Sequence, residues 1–490
     1  MPFKMNRRQF LGSASCAAVG SASLFSTLMN LRMANTAAAE NLPISQLSAN
    51  GLAGGNDYKA LVCIFLAGGN DSFNMLVPRG NSEYGEYATI RADLALPQGD
   101  LIPINAQDTD GRAYGVHPAM PEVAQMFDAG QLAFVANVGT LVEPTTLAGI
   151  ESGLNKLPLG LYSHSDQIMH WQTSVPDKRT GFGWGGRTAD LLKSLNDSDV
   201  ISMNISLAGT NLFQTGTTLT EYSVVPWGNG AVQVIGHDDI WWSRHVLKNA
   251  AIESMLDLSY QNLFDQTFAN STRAAIDGAA LFATAIEGVP AFATQFSDNE
   301  LSNGLAIVAK TIAARNALGF RRQTFFVMLG GWDHHDEVLN NQLAMLSVVS
   351  KAMQEFRDAM MELGVHNNVV TFTASDFGRT LTSNGQGSDH AWGGNHMVMG
   401  GSVRGRRIYG DFPALYEDNP LDTGRGRLIP TTSCDEYFAE LALWFGVAPG
   451  DLEAVFPNIG RFYDTSSEET PLNMLANLSE QAFLPIVFRQ

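Results

Sequence analysis

TFFVMLGGWDHHDE, Thr324 to Glu337, decides the fold. Thr324–Leu329 is an unbroken apolar, β-rich run that reads as a buried strand, and it stops on paired glycines. From Asn340 to Leu363, apolar residues recur at Leu343, Leu346, Val349, Met353, Phe356, Met360 and Leu363. Steps of three and four make one helical face, and Gly364 is placed to end it. VVTFT, Val369 to Thr373, is the next strand. Strand, helix, strand in this order is a βαβ unit, so the two strands run parallel and release their following loops at one sheet edge. Asp333, His334 and His335 after the first strand are thereby brought alongside Asp376 after the second.

Working outward, the second strand opens into SDFGRTLTSNGQGSDHAWGGNH, Ser375 to His396, a glycine-rich loop carrying Asp376, Arg379, Asp389, His390 and His396. Loops past the carboxyl ends of strands are where open α/β sheets place their chemistry. Upstream, ALVCIFLA (Ala60–Ala67) reads as a buried strand running into GGNDSFN, which sets Asp71 just beyond it. Leu132–Val138 is a further buried strand, with a short helix starting near Pro121 ahead of it. In YSHSDQIMHWQT, Tyr162 to Thr173, Ser163 or Ser165 stands at a helix start beside His164 and Asp166. Either serine serves as an N-cap, or as a nucleophile where free backbone N–H groups stabilise an anion. Trp171, Trp184 and the Gly181–Arg187 run would wall such a pocket, or simply pack. The expected architecture is a three-layer α/β/α sandwich on a mostly parallel sheet.

The rest of the 490-residue chain falls into segments. NRRQFLG (Asn6–Gly12), an Ala- and Ser-rich stretch and Ala37-Ala38-Ala39 read as a twin-arginine signal over residues 1–39, directing export to the periplasm or beyond. Residues 40–57 read as a linker, 58–462 as the α/β domain with a helical insertion over about 200–320, and 463–490 as a loosely packed tail. Within the insertion, Ser202–Leu207 and Val224–Ile235 are read as β-rich, and Val246–Ile286 and Leu305–Gly319 as helical. Beyond the leader, nothing reaches the roughly 18 consecutive apolar residues of a membrane span. The formal charge is −19, and the first 39 residues hold four basic residues and no acid, so their removal makes it −23. That surface repels nucleic acid and anionic membrane, and would repel an anionic substrate unless a cation reversed the local potential. Cys63 and Cys434 read as two buried free thiols rather than a disulfide.

Asp71, Asp333, Asp376 and Asp389, with His164, His334, His335, His390 and His396, supply oxygen and imidazole donors without thiolate, a set suited to Zn, Mn, Mg or Ca. Neighbours His334 and His335 cannot both point into one site, so one of them supports the site from behind.

AGGNDSFN, YGVHPAMP, YSHSDQ, GWGGR, GGWDHH, SDFGRT, DHAWGGNH, GRGRLIPTTS and FPNIGRF, behind the twin-arginine pattern, together resemble the bacterial domain-of-unknown-function 1501 family. That family is similar in fold to the alkaline phosphatase and sulfatase superfamily, whose sheet edge holds two metal ions. The resemblance implies Asp71 as a shared ligand, and Asp333, His334 or His335, Asp376, and His390 or His396 as later ones. It implies Ser163 or Ser165 as nucleophile and Arg379 as a clamp on the transferred group, with His164, Asp166 and Asp389 behind the ligands. The implied activity is hydrolysis of a phosphate or sulfate ester. The chain departs from the superfamily in having Asp376-Phe377 where an Asp-His pair is common, and no CxPSR-like sequence. The competing expectation is a secreted protein that kept the fold without the chemistry and binds a partner or surface polymer.

Overall fold

The structure is a computed structural model that describes residues 57–109, 111–234, 237 and 243–476. The leader, all but the last residue of the linker, and the end of the tail lie outside the described residues. The strands, in chain order, are β1 (Lys59–Leu66), β2 (Leu76–Pro78), β3 (Ile102–Ile104), β4 (Tyr114–Val116), β5 (Leu132–Gly139), β6 (Asn204–Ser206), β7 (Tyr222–Ser223), β8 (Arg322–Leu329), β9 (Val369–Ser375), β10 (Gly394–Met399), β11 (Ile408–Tyr409) and β12 (Thr432–Ser433). Among the described residues the chain clusters as two compact units. One lies within 233–280, and the other comprises 57–232 and 281–476.

The larger unit is built on a sheet ordered β11-β5-β10-β9-β1-β8-β6-β7, with β12 also against β5. β1 lies between β8 and β9, parallel to both. β6 continues parallel on β8, β7 on β6, and β11 and β12 on β5. β10 alone is reversed, pairing antiparallel with β5 and β9. A mostly parallel sheet covered on both faces requires continuous apolar strands, and β1 (KALVCIFL), β5 and β9 are buried along nearly their whole length. β2, β4 and β3 make a separate antiparallel sheet.

Helices Pro121–Asp128, Glu300–Ala313 and Val338–Glu362 pack together over one layer, and His164–Thr173, Trp184–Leu192 and Cys434–Phe445 over the other. The 25-residue Val338–Glu362 helix joins β8 to β9, burying Leu346, Val349, Met353, Phe356 and Met360 on one face. Leu343, which continues that spacing, is exposed, because the stripe outruns the surface it covers. In the second layer Trp184 stacks on Phe438 and Trp171 meets Phe438 edge-on, so both tryptophans serve the core. Cys63 and Cys434 are buried free thiols.

Three elements differ from the sequence reading. β6 and β7 belong to the central sheet, so the separate unit is narrower than 200–320. The β-rich reading of 224–235 yields no strand among the described residues; β7 lies just ahead of it at Tyr222–Ser223, and Pro226, Gly228 and Gly230 turn the chain immediately afterwards. The helical run expected over 246–286 divides into Ser243–Leu256 and Leu263–Glu287, with Asn262 Oδ1 accepting from the Phe264 amide at the restart. In the smaller unit Glu253 ties these helices, meeting His237 Nε2 at 2.7 Å and Arg273 Nη1 at 2.5 Å. The start of the tail is also fixed: the buried Glu440 carboxylate accepts the amides of Leu472, Asn473, Met474 and Leu475 at 2.9–3.2 Å.

Candidate metal centre

Leu66 pairs in register with both Leu329 and Ser375, so β1, β8 and β9 end together. The loops that follow are locked to one another at that edge. Trp332 N donates to Ala67 O at 3.1 Å, and Gly68 N to Asp376 Oδ1 at 2.9 Å. Gly68 has φ +124°, and a Cβ there would sit 2.5 Å from Asp333 N, so the close approach of these two loops requires glycine. Beyond β9 the chain folds back as a short ribbon, with Arg379 bridged to His390 and Thr380 N donating to Asp389 O.

At this edge three imidazoles converge on Asp333. His164 Nε2 is 3.4 Å from Asp333 Oδ2, and His390 Nε2 and His335 Nε2 are each 3.1 Å from Oδ1. Ligand atoms of His164, Asp333 and His390 all lie within 4.8 Å of one another. The far nitrogen of each ring is held by an acceptor: His164 Nδ1 by Asp376 Oδ2 at 2.7 Å, His335 Nδ1 by Asp389 Oδ1 at 3.1 Å, and His390 Nδ1 by the Tyr162 carbonyl at 2.8 Å. With each Nδ1 so engaged, the three Nε2 nitrogens face the Asp333 carboxylate, His335 and His390 Nε2 only 3.0 Å apart. Nitrogens and carboxylate oxygens grouped in this way could hold a cation, and the carboxylates behind His164 and His335 are the usual support of metal-binding imidazoles. The donor set fits one divalent ion of the zinc class.

Burial holds His390 below the usual histidine range, against the pull of the Tyr162 carbonyl. Burial raises the Asp333 carboxyl, but Arg379, with His335 and His390, outweighs it and holds that acid below its ordinary value. Asp376 is pushed up by burial, opposed by the Gly68 amide and His164. For Asp389, burial is outweighed by Asn384, Arg425 and His335, which bring it down to about 2. Tyr162 adopts φ 74°, a strained conformation for a bulky residue that accompanies the carbonyl contact with His390. Phe377 packs between the rings, its centroid 4.9 Å from His164 and 4.5 Å from His390.

The remaining residues singled out from the sequence take other places. Asp71 is buried, and its Oδ2 meets Arg91 Nη2 at 2.7 Å and Ser388 Oγ at 2.8 Å, so the positive charge beside it is a guanidinium. His334 is buried below the cluster against Trp332, and its carbonyl accepts the Ser388 amide. His396 is in the core between Trp171 and Tyr437, where burial lowers it to about 3. Ser163 stands at the N-cap position of the helix that His164 begins without a side-chain capping bond, its hydroxyl 3.2 Å from that of Ser165, and Asp166 pairs with Arg179. Arg379 is fully buried behind Asp333, donating to Asp333 Oδ1 at 2.7 Å and to the Ser388 carbonyl. Arg91, Ser388 and the Tyr162 carbonyl were not marked by sequence reasoning. Arg91 lies on the helix Asn81–Arg91 with no motif around it, and a main-chain acceptor has no residue-type signature.

Fold and site together define an α/β protein with a His-Asp cluster at the carboxyl edge of a mostly parallel sheet. Residues 249–423 match the model of the family described as protein of unknown function (DUF1501), the family the sequence motifs resemble. The match includes Asp333, His335, Asp376, Asp389 and His390, while Asp71 and His164 lie outside it. No curated protein matches the sequence. Among solved structures, the chain is similar to the lipoteichoic acid synthase LtaP from Listeria monocytogenes, at 7% identity and TM-score 0.28, covering 79% of this chain and 72% of that one. It is also similar to the PsFucS1 sulfatase from Pseudoalteromonas sp., at 10% identity and TM-score 0.30, covering 86% and 72%. Among the described residues, no helix is long and apolar enough to cross a membrane.

Proposed function

We propose that this protein is an exported, metal-dependent hydrolase of phosphate or sulfate esters. The observation that carries the reading is the convergence of His164, His335 and His390 Nε2 on Asp333, each ring anchored through Nδ1. A divalent cation held there would supply Lewis-acid polarisation of an ester oxygen. The side chains of this centre are about a quarter to two-fifths exposed, which leaves it open to a soluble substrate. Asp376 and Asp389 fix the orientation of His164 and His335, and Arg379 balances the charge of Asp333 from the buried side. The Ser163 and Ser165 hydroxyls flank His164 at the start of its helix, where the attacking oxygen, from serine or from water, meets free N–H groups. Export rests on the Asn6–Gly12 pattern and the Ala37–Ala39 cleavage site, and places the enzyme in the periplasm or outside the cell.

Metal analysis of the purified protein should find about one divalent ion per chain, rather than the two that the family resemblance implies, since the described residues hold one such cluster of donors. A panel of aryl phosphates and sulfates should reveal an activity that Asp333→Asn and His164→Ala each lower by about a hundred-fold or more. A metal-free protein whose turnover of every ester matches that of both variants would refute the proposal.

A further inference from the structure

A guanidinium carries five N–H donors, and an arginine that binds substrate must present some of them to solvent. Around the cluster, Arg379 is fully buried, with Nη1 on Asp333 and the Gly68 carbonyl, Nη2 on the Ser388 carbonyl and Nε on Ser388 Oγ. Arg91 is equally buried, on Asp71 and the carbonyls of Thr380 and Leu381. Arg427 is partly buried, with Nε on the His390 carbonyl, Nη1 on the Gly424 carbonyl and its guanidinium 5.3 Å over the Tyr162 ring. Arg425 differs. Its side chain is 46% exposed, and it meets Asp389 Oδ2 through Nη2 at 2.7 Å, leaving its other donors to solvent.

The backbone singles out the same residue. Gly424, Arg425 and Gly426 have φ of 107°, 65° and 68°. Asp422 Oδ1 holds this turn by accepting the amides of Gly424 and Gly426 at 2.7 and 2.9 Å. Glycine adopts such a conformation freely and arginine at a cost, so the structure tolerates strain to keep a cationic side chain at this point. Asp389, its partner, is also the acceptor that orients His335, which puts Arg425 one carboxylate away from the cluster.

We infer that Arg425, rather than Arg379, is the substrate-binding guanidinium, donating to the non-bridging oxygens of an anionic phosphate or sulfate group presented to the cluster. This rests on the hydrolase reading and adds a residue that selects the anionic group. On a chain of net charge −19, an unspent cation at the rim is what offsets repulsion of such a ligand.

The test titrates inorganic phosphate and inorganic sulfate into the full-length protein by calorimetry, with and without bound metal, for wild type, Arg425→Gly and Arg425→Lys. Arg425→Gly suits the positive φ, so its melting temperature should equal or exceed that of wild type. Its affinity for at least one of the two anions should fall by about ten- to a hundred-fold, the worth of one or two charge-assisted hydrogen bonds, and Arg425→Lys should recover part of the loss. Anion binding within twofold of wild type in Arg425→Gly, or no anion binding by wild type in either metal state, overturns the inference. Loss of both stability and metal in Arg425→Gly, with anion binding retained, would assign the residue a structural role and overturns it as well. Metal content is measured in parallel on wild type. A protein that holds no metal yet binds anion through Arg425 defeats the hydrolase reading while supporting the anion contact made by Arg425.

Discussion

Replacing Arg91 by methionine tests whether Asp71 is an ion-paired carboxylate or a group awaiting a second cation. Arg91 and Asp71 have side chains 0% and 1% exposed, with 2.7 Å between Nη2 and Oδ2. Methionine keeps most of the apolar volume but strands the carboxylate, leaving it only the Ser388 hydroxyl, and a buried charge that loses its partner costs about 3–5 kcal/mol. The carbonyls of Thr380 and Leu381 lose their bonds from Nη1 as well, at roughly 1 kcal/mol each. The expected loss is therefore about 5 kcal/mol or somewhat more, and Asp71→Asn in the same chain should recover most of the larger part. Urea unfolding followed by tryptophan fluorescence, run on wild type, both single variants and the double variant, measures the coupling, and metal content is taken on each. Arg91→Met within about 1 kcal/mol of wild type would refute the reasoning, because Asp71 would then not depend on the guanidinium as its partner.

Burial lifts Asp435 from 3.8 to about 8, so the folded chain keeps a proton that the unfolded chain releases near pH 4. Stability therefore falls as pH rises from about 4 to 8 and levels off above it, since the folded state binds more protons in that window. Asp435→Asn should flatten this part of the profile, and unfolding midpoints at pH 5 and pH 8 check it; an unchanged slope would mean that Asp435 is ionised in the fold. Glu440→Gln turns one of two accepting oxygens into a donor facing amides of the 472–475 segment. It should cost about 2 kcal/mol and speed amide exchange there, whereas wild-type exchange rates would show that the carboxylate does not hold the segment.

The core of the architecture is legible in the sequence because long apolar runs and a helical stripe carry their own periodicity. Lys59–Leu66, Leu132–Gly139, Arg322–Leu329 and Val369–Ser375 lie where continuous apolar segments indicate strands, and the helix between β8 and β9 makes those two strands parallel. β6 falls inside the β-rich patch Ser202–Leu207, whereas β7, a two-residue edge strand, has too few positions to show a period. The meeting of Asp333 with Asp376 follows from the βαβ rule. The place of His164 does not, because it reaches the cluster from the opposite end of a loop whose path no local pattern encodes. Nor does composition tell which carboxylates face arginine: Asp71 and Asp333 look alike in sequence, and only tertiary packing sets Arg91 on the first.

The reversed β10 has a consequence for how the centre can change. A parallel strand after β9 would have obliged the chain to cross the whole sheet, whereas an antiparallel one lets residues 376–393 leave and re-enter at the same rim. That excursion behaves as a cassette. Its exposed tip, Gly385 and Gln386, can be lengthened or grafted from a homologue while Asn384 stays on Asp389, Arg379 and His390 stay paired across its base and the strands keep their alignment.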